Sequence, residues 1–337
     1  MTTIYLYPKV FPCENPYIND LEQTLSANYE IINKKSNQNG VLDLFKYFSR
    51  TDIYYFNWIE SLPSRRYGKI QIIAFMLFLL LAKWRKKRIA WTLHNKYAHD
   101  KSKNGWVDYM YKIMMDHSDI IFTHSQSGID FVEEEFPASA KKIKYFIHPV
   151  KPVFPLFNNK KCIYDFLIWG TIWPYKGVIE FLQFLEESGN IHSFKILIVG
   201  RCINNDIRME LDKYLMTNII YKDEFYPIEE IAGFSNQAKF TLFTYKSESV
   251  LSSGSLMDSI RMRSVIIGPH IGAFKDLSSY DFVKTYNTFS EIIEIYTKHE
   301  NAGDPLPIQI ETFCLENSWN SFGEKLYKTL ISNLNIK

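Results

Sequence analysis

The stretch FLIWGTIWPYKGVIEFLQFL, residues 166–185, decides the fold. Phe166, Leu167, Ile168 and Trp169 form a short apolar run of strand length. Val178, Phe181, Leu182 and Leu185 then recur at the spacing of one helix face. Between them lie Gly170, Thr171, Pro174, Lys176 and Gly177. Glycine lets backbone approach a ligand, and a helix N-terminus offers unpaired N–H groups to an anion. With Lys176 adding a point charge, the turn reads as half of a diphosphate cradle; turn chemistry with a solvated lysine is the plainer alternative.

The same alternation runs outward in both directions. Towards the N-terminus TIYLY, DIYYFNWI, RIAWTLHN, DIIFTHS and KIKYFIHPV read as strands. Helices are expected around Leu21–Tyr29, at Ile70–Ala82, in GWVDYMYKIMMDHS and at Ser127–Glu135. Towards the C-terminus FKILIVG, NIIYKD, KFTLFTY and SVIIGP are strands. DIRMELDKYLM, PIEEIAGFSNQ, SLMDSIRM and SWNSFGEKLYKTLIS are helices, the last capped by Ser318. Such alternation predicts α/β architecture with parallel sheets covered on both faces. KPVFPLFNN, with two prolines in five residues, is the expected linker near 151–160. A chain of 337 residues exceeds the usual size of one core, so two doubly wound domains are expected.

Ligands in such sheets sit beyond the carboxyl ends of the strands. LIVGR ends one strand with Gly200 and Arg201, and an arginine there forks onto phosphate or stays at the surface. In FTYKSESVLSSGSLMDSI, residues Ser252, Ser253, Gly254 and Ser255 precede an apolar helix. Ser255 reads as a plain N-cap or, with its neighbours, as an anion nest. WTLHNKYAHD places His94 and Asn95 at a strand end, with His99 and Asp100 just beyond, types suited to orienting or deprotonating a hydroxyl. Thr123–Ser125 ends the next strand. The chain has no DxD triplet, GxGxxG, GxxxxGK[ST] or GxSxG. Their absence weighs against a metal-held nucleotide, a dinucleotide enzyme, a P-loop NTPase and an α/β-hydrolase.

Net charge is +2, too small to argue for nucleic acid. Its distribution is uneven: Arg65 to Lys103 holds 11 basic residues against Asp100 alone, so that region should meet something anionic. Cys13, Cys162, Cys202 and Cys314 are scattered, suggesting neither a zinc site nor a disulfide framework, and a reducing cytoplasm is expected. No secretory signal is expected from MTTIYLYPKVFP. IQIIAFMLFLLLA, 13 residues with only Gln71 polar, is too short for a membrane span, since ~1.5 Å per residue gives roughly 20 Å. A buried helix is one reading. The following KWRKKR supports another, a helix lying on an anionic leaflet, and the two are compatible.

Taken in order, these segments resemble the GT-B glycosyltransferases of the family 4-like, bacterial surface-polysaccharide type. GTIWPYKG resembles that family's phosphate turn, SSGSLMDSI its phosphate-binding helix start and WTLHN the strand that delivers its histidine. SWNSFGEKLYKTL resembles its closing helix. The resemblance implies two doubly wound Rossmann-like domains facing a central cleft. It assigns residues 1–152 to the acceptor, 161–316 to the nucleotide sugar and 317–337 to a helix packing back on the first domain. Thr171 stands where the family has arginine, so Arg201 is the substitute charge, and the family's glutamate pair is missing, with Glu248 near its first position.

The resemblance further implies transfer of a sugar from a nucleotide diphosphate sugar, UDP or GDP, without a cofactor or metal. Gly170, Thr171, Lys176, Arg201, Ser252, Ser253, Gly254 and Ser255 would hold the diphosphate, with Phe225 and Tyr245 near ribose and base. His94 would lie near the reacting sugar, with Asp100 or His99 the base if the reaction inverts. The expected acceptor is a polyprenyl-diphosphate-linked glycan in capsule or other polysaccharide biosynthesis, reached from the inner face of the plasma membrane. A soluble acceptor, a non-catalytic nucleotide-sugar or glycan-binding module, and an epimerase are the rival readings.

Overall fold

The computed structural model describes residues 1–8, 16–34, 40–96, 105–155, 162–246, 250–299 and 307–334. The chain divides into two compact units. One comprises Met1–Pro149, Ser249–Ser252 and Trp319–Lys337; the other Val150–Glu248 and Ser253–Ser318.

The first unit carries β1 (Thr3–Tyr7), β2 (Glu30–Ile31), β3 (Ile53–Asn57), β4 (Arg88–Leu93), β5 (Ile120–Thr123) and β6 (Ile143–Tyr145). All pair in parallel, in the order β2-β1-β3-β4-β5-β6. Its central strands are mostly apolar and buried along nearly their whole length because both faces are covered. Tyr54, Phe56 and Trp91 pack on Ile72, Phe75, Phe78 and Leu79 of helix Gly68–Trp84. On the other face Ile4, Leu6, Tyr55 and Phe122 meet Phe322, Leu326, Leu330 and Leu334 of the last helix, Trp319–Leu334. Those four recur every fourth residue, which is why that helix docks one face. It also lies against helix Pro16–Leu25 so closely that a β-carbon on Gly323 would meet Thr24 Cγ2 at 2.6 Å.

The second unit carries β7 (Tyr164–Trp169), β8 (Ile196–Val199), β9 (Ile219–Lys222), β10 (Ala238–Leu242), β11 (Val265–Pro269) and β12 (Val283–Tyr286). They too are parallel, in the order β12-β11-β10-β7-β8-β9. Val178, Phe181, Leu182 and Leu185 of helix Val178–Glu187 bury their stripe against Phe166, Ile168, Ile196 and Ile198. Strand order reverses between β1 and β3 in the first unit and between β7 and β10 in the second. A crevice opens beyond the strand ends at such a switch point, and that is where doubly wound sheets bind ligands.

Helix Gly68–Trp84 is unusual. Its inner face is fully buried, yet Ile70, Ile73, Leu77, Leu80 and Trp84 are 66%, 60%, 55%, 59% and 73% exposed. At ~100° per residue those five fall within one arc of roughly 80° opposite the buried face. The segment is therefore both core and surface. Among the described residues no helix is long and apolar enough to cross a membrane.

Candidate functional site

At the switch point of the second unit β7 is followed by Gly170, whose φ is +92°. The chain continues through a 3₁₀ turn, Pro174–Lys176, to Gly177 at φ +64° and into helix Val178–Glu187. Only glycine adopts these angles without strain. Space enforces it too, since a β-carbon on Gly177 would lie 2.3 Å from the Thr244 carbonyl oxygen. That crowding joins the turn to the end of β10: the Thr244 hydroxyl donates to the Lys176 carbonyl at 2.5 Å, and the Lys246 amide donates to the Tyr175 carbonyl at 3.0 Å. Lys246 also pairs with Glu180, so its own charge is neutralised.

Lys176 is different. It is only 6% exposed, and among the described residues no carboxylate pairs it. Its Nζ has a long 3.4 Å contact with the Trp169 carbonyl oxygen and sits 5.8 Å above the Tyr245 ring. Burial lowers its pKa from 10.5 to about 8. A β-carbon on Gly170 would stand 2.8 Å from this ammonium and 3.8 Å from Ser255 Oγ. Side-chain space is thus left open where a cation, a hydroxyl and the start of helix Gly254–Arg261 come together. Ser253 holds the N-cap position without a capping hydrogen bond, its hydroxyl lying instead 3.3 Å from Tyr245 OH. Ser255, read from sequence as a possible cap, is inside the helix. An uncompensated buried cation, two hydroxyls and a helix N-terminus form an anion-accepting hole.

The remaining expected residues of this half lie apart from that cluster or nearer its rim. Thr171 and Gly254 are exposed. Arg201 is exposed and follows Gly200, whose α-carbon packs against the Gly170 carbonyl. Phe225 is 86% exposed, on the connection after β9. Ser252 belongs to the first unit, and its buried hydroxyl has no hydrogen-bond partner. Glu248 lies outside the described residues.

At the strand ends of the first unit His94 follows β4 and stacks on Trp58, with ring centroids 4.0 Å apart. The Asn57 amide nitrogen donates to the Tyr7 carbonyl at 3.2 Å, which turns its oxygen towards His94 Nε2 at 3.0 Å. An amide oxygen only accepts, so His94 carries its proton on Nε2 and keeps a lone pair on Nδ1. His124 Nδ1–H donates to the Phe146 carbonyl at 2.9 Å, and Tyr17 OH donates to its Nε2 at 2.8 Å. His148 Nδ1–H donates to the Pro149 carbonyl at 2.9 Å. Tyr17 touches all three imidazoles edge-on or tilted, at 5.0–5.6 Å. Burial, and for His94 the neighbouring His124 and His148, drives their pKa values down, His124 to about 3 and His148 to about 4. The cluster is therefore neutral, and His94 is suited to accepting a hydroxyl proton in a hydrogen bond rather than to carrying charge.

Sequence reasoning missed Tyr17, His148 and Glu60. Glu60, in the turn after β3, is buried with Oε2 unpartnered, and burial raises its pKa from 4.5 to about 7. No motif marks these residues; an acid three positions past a strand end was the available hint. His99 and Asp100 lie outside the described residues. Among the described residues no group of three His, Cys, Asp or Glu is placed to hold a metal ion.

No protein-family model matches the chain, and no curated protein matches its sequence. Solved structures do resemble it. HepE of Anabaena, in complex with UDP and glucose, superposes with a TM-score of 0.68 at 10% identity over 98% of this chain and 100% of its own. A glycosyltransferase from Rickettsia africae gives 0.61 at 14% identity over 100% and 99%. The trehalose-6-phosphate synthase OtsA gives 0.65 at 10% identity over 100% and 99%. At these identities the likeness is one of fold: the chain has the two-domain, Rossmann-like GT-B architecture of these glycosyltransferases.

Proposed function

We propose that this protein is a metal-independent glycosyltransferase, moving a hexose from a nucleotide diphosphate sugar to a hydroxyl of a lipid-linked glycan. The observation that carries the reading is Lys176: a buried ammonium with no carboxylate partner among the described residues, set at a switch point beside a glycine turn and a helix start. A fold rarely keeps an unpaired buried charge unless something anionic completes it. A diphosphate supplies that charge. As the bond from the sugar C1 to the diphosphate oxygen breaks, the negative charge growing on the leaving group meets a cation and amide dipoles already in place. The acceptor oxygen bonds to C1 and loses its proton. His94 Nδ1 orients a sugar hydroxyl, and Asp100 or His99 takes the proton if the reaction inverts. UDP is the favoured nucleotide, because HepE was crystallised with UDP and with UDP-glucose.

The lipid-linked acceptor and attachment to the inner face of the plasma membrane rest on helix Gly68–Trp84. Its exposed apolar arc ends at Lys83, Arg85, Lys86, Lys87 and Arg88, the pairing that binds an anionic leaflet. This fits the synthesis of capsule or another surface polysaccharide. Thermal-shift measurements with UDP, GDP, CMP, ADP and dTDP test the donor site. A nucleoside diphosphate is expected to stabilise the wild type, with or without chelator, and not Lys176→Ala. Absence of any shift in the wild type would refute the reading.

A further inference from the structure

The first sheet has a second concave site at its opposite edge, by the amino ends of β4 and β5. Arg88 opens β4 and His94 follows its end, so at ~3.3 Å per residue the two edges are roughly 20 Å apart. A pocket of about 670 Å³ lies there, walled by the end of helix Gly68–Trp84, the end of helix Gly105–His117, the 3₁₀ turn Pro137–Lys142 and Asn333 of the last helix.

Six cations line it against two carboxylates. Three of the six are occupied. Arg88 pairs with Asp119 at 3.5 Å, Lys87 Nζ donates to the Thr51 carbonyl at 2.6 Å, and Lys142 Nζ donates to the carbonyls of Met115 and Asp116 at 2.9 and 3.1 Å. Among the described residues Lys83, Lys86 and Lys141 have no hydrogen-bond or ion-pair partner. Two further features mark the place as built. Lys86 holds φ +55°, the position of a Schellman cap where glycine is the usual residue, with its amide on the Lys83 carbonyl and the Lys87 amide on the Ala82 carbonyl. A lysine there bears a backbone strain that glycine would avoid. Ser118 is 2% exposed, lines the pocket, and its hydroxyl has no hydrogen-bond partner. Three unpaired ammonium groups and one unsatisfied hydroxyl around a concavity lack only a compact acceptor-rich anion.

We propose that this pocket is a second anion site, binding a phosphate group by Lys83, Lys86, Lys141 and the Ser118 hydroxyl. A nucleic-acid backbone would need an extended basic stripe rather than one compact set of cations. The site is independent of the donor hole; it shares Lys83 and Lys86 with the leaflet-binding surface proposed above, and vesicles of equal surface charge separate a phosphate site from general attraction to an anionic surface. The phosphate could belong to a lipid headgroup, for the exposed Trp84 and Leu80 adjoin Lys83 on the same helix, or to a soluble phosphate ester.

The test uses the full chain with two probes: pyrophosphate, followed by thermal shift, and phosphatidylcholine vesicles containing either phosphatidate or phosphatidylserine at equal surface charge, followed by flotation. Lys83→Gln/Lys141→Gln is compared with Arg66→Gln/Lys69→Gln, which removes the same charge at the other end of the same helix. The pocket pair is expected to lose at least tenfold in binding to a phosphate probe while the control pair loses little. Ser118→Ala is expected to melt no lower than the wild type and to bind severalfold more weakly, which a folding defect would not produce. Preference for phosphatidate assigns the site to a lipid phosphate, and pyrophosphate binding without vesicle preference assigns it to a soluble one. Equal losses in the two pairs, or phosphate binding untouched in the pocket variants, overturns the proposal. The pyrophosphate arm is run in a Lys176→Met background, which removes the donor hole's own affinity for a diphosphate; that change is expected to leave the vesicle signal unchanged, so failure of the donor assignment is read separately.

Discussion

Lys176→Met should make the protein more stable and blind to its nucleotide. Burial moves the Lys176 pKa from 10.5 to about 8. The unfolded chain therefore holds the proton more tightly than the native one, and stability rises with pH between 8 and 10.5. At pH 7 the native state bears the whole penalty, ~3 kcal/mol at ~1.36 kcal/mol per pH unit. Methionine matches the stem and removes the charge. What is lost in return is small: a 3.4 Å contact with the Trp169 carbonyl and a cation–π contact at 5.8 Å, together ~1 kcal/mol. The net gain, about 2 kcal/mol, corresponds to a rise of roughly 4–8 °C for a unit of this size. Ligand at a hundredfold excess over its Kd stabilises the wild type by ~2.7 kcal/mol, and this should vanish in the variant. Scanning fluorimetry with and without UDP reads both effects. Calorimetry at pH 8 in buffers of different ionisation enthalpy adds a third, because a diphosphate recharges a half-neutral Lys176 and takes up about half a proton. A variant that melts lower and still responds to UDP would show that Lys176 only packs the turn.

Three further outcomes follow from named groups. Glu60→Gln should leave stability unchanged at pH 4 and raise it by up to ~3 kcal/mol at pH 8, because a raised carboxyl pKa penalises the native state only once pH exceeds 4.5; urea titrations across that range check it, and a pH-independent difference contradicts it. The neutral histidines act with the opposite sign: their lowered pKa values cost stability as pH falls below 6.5, at up to ~4 kcal/mol per pH unit for three, less ~1.4 for Glu60. A net rise of about two protons' worth per pH unit is expected between pH 5 and 6, and a flat profile would mean that the imidazoles reach water. Leu77→Ser/Leu80→Ser should weaken binding to anionic vesicles by well over tenfold, since burying each leucine is worth ~1.5–3 kcal/mol, without lowering the melting temperature.

The fold was legible where two periodicities met. FLIWG followed by a 3.6-residue stripe can only be a strand feeding a helix, and Phe166, Phe181 and Leu182 do share one core. Elements without a clean period escaped. β12, VKTY, is half-buried at a sheet edge, so its pattern is too weak to separate from a loop. Helix Phe289–His299 carries Ile292 as its buried residue, and with a single anchor the stripe blurs. Tyr29 continues the apolar spacing of Leu21 and Leu25, yet the helix stops at Leu25 and Tyr29 reaches the same core from a turn. For the candidate site, the cation and the glycine turn were visible because Lys and Gly have narrow physical uses at a helix start. The neutral histidine cluster was not, because Tyr17, His94, His124 and His148 come from four separate segments that meet only through the sheet.

The two switch points solve opposite electrostatic problems with the same backbone plan. In the second unit the turn after β7 buries a charge that no described carboxylate pairs. The apo state there is destabilised, and binding an anion relieves that cost. At the first unit's strand ends His94, His124 and His148 each have a directional partner, Asn57, Phe146 with Tyr17, and Pro149 respectively, and each is held neutral. Nothing there needs a counter-ion. The lone pair left on His94 Nδ1 suits a hydroxyl, an uncharged donor that gains from a dry, neutral setting. A charged phosphate would be repelled by neither face but would gain little from the first unit's strand ends and much from the second's. The proposed division of labour between nucleotide and acceptor hydroxyl rests on where the described residues leave charge unpaired and where they do not.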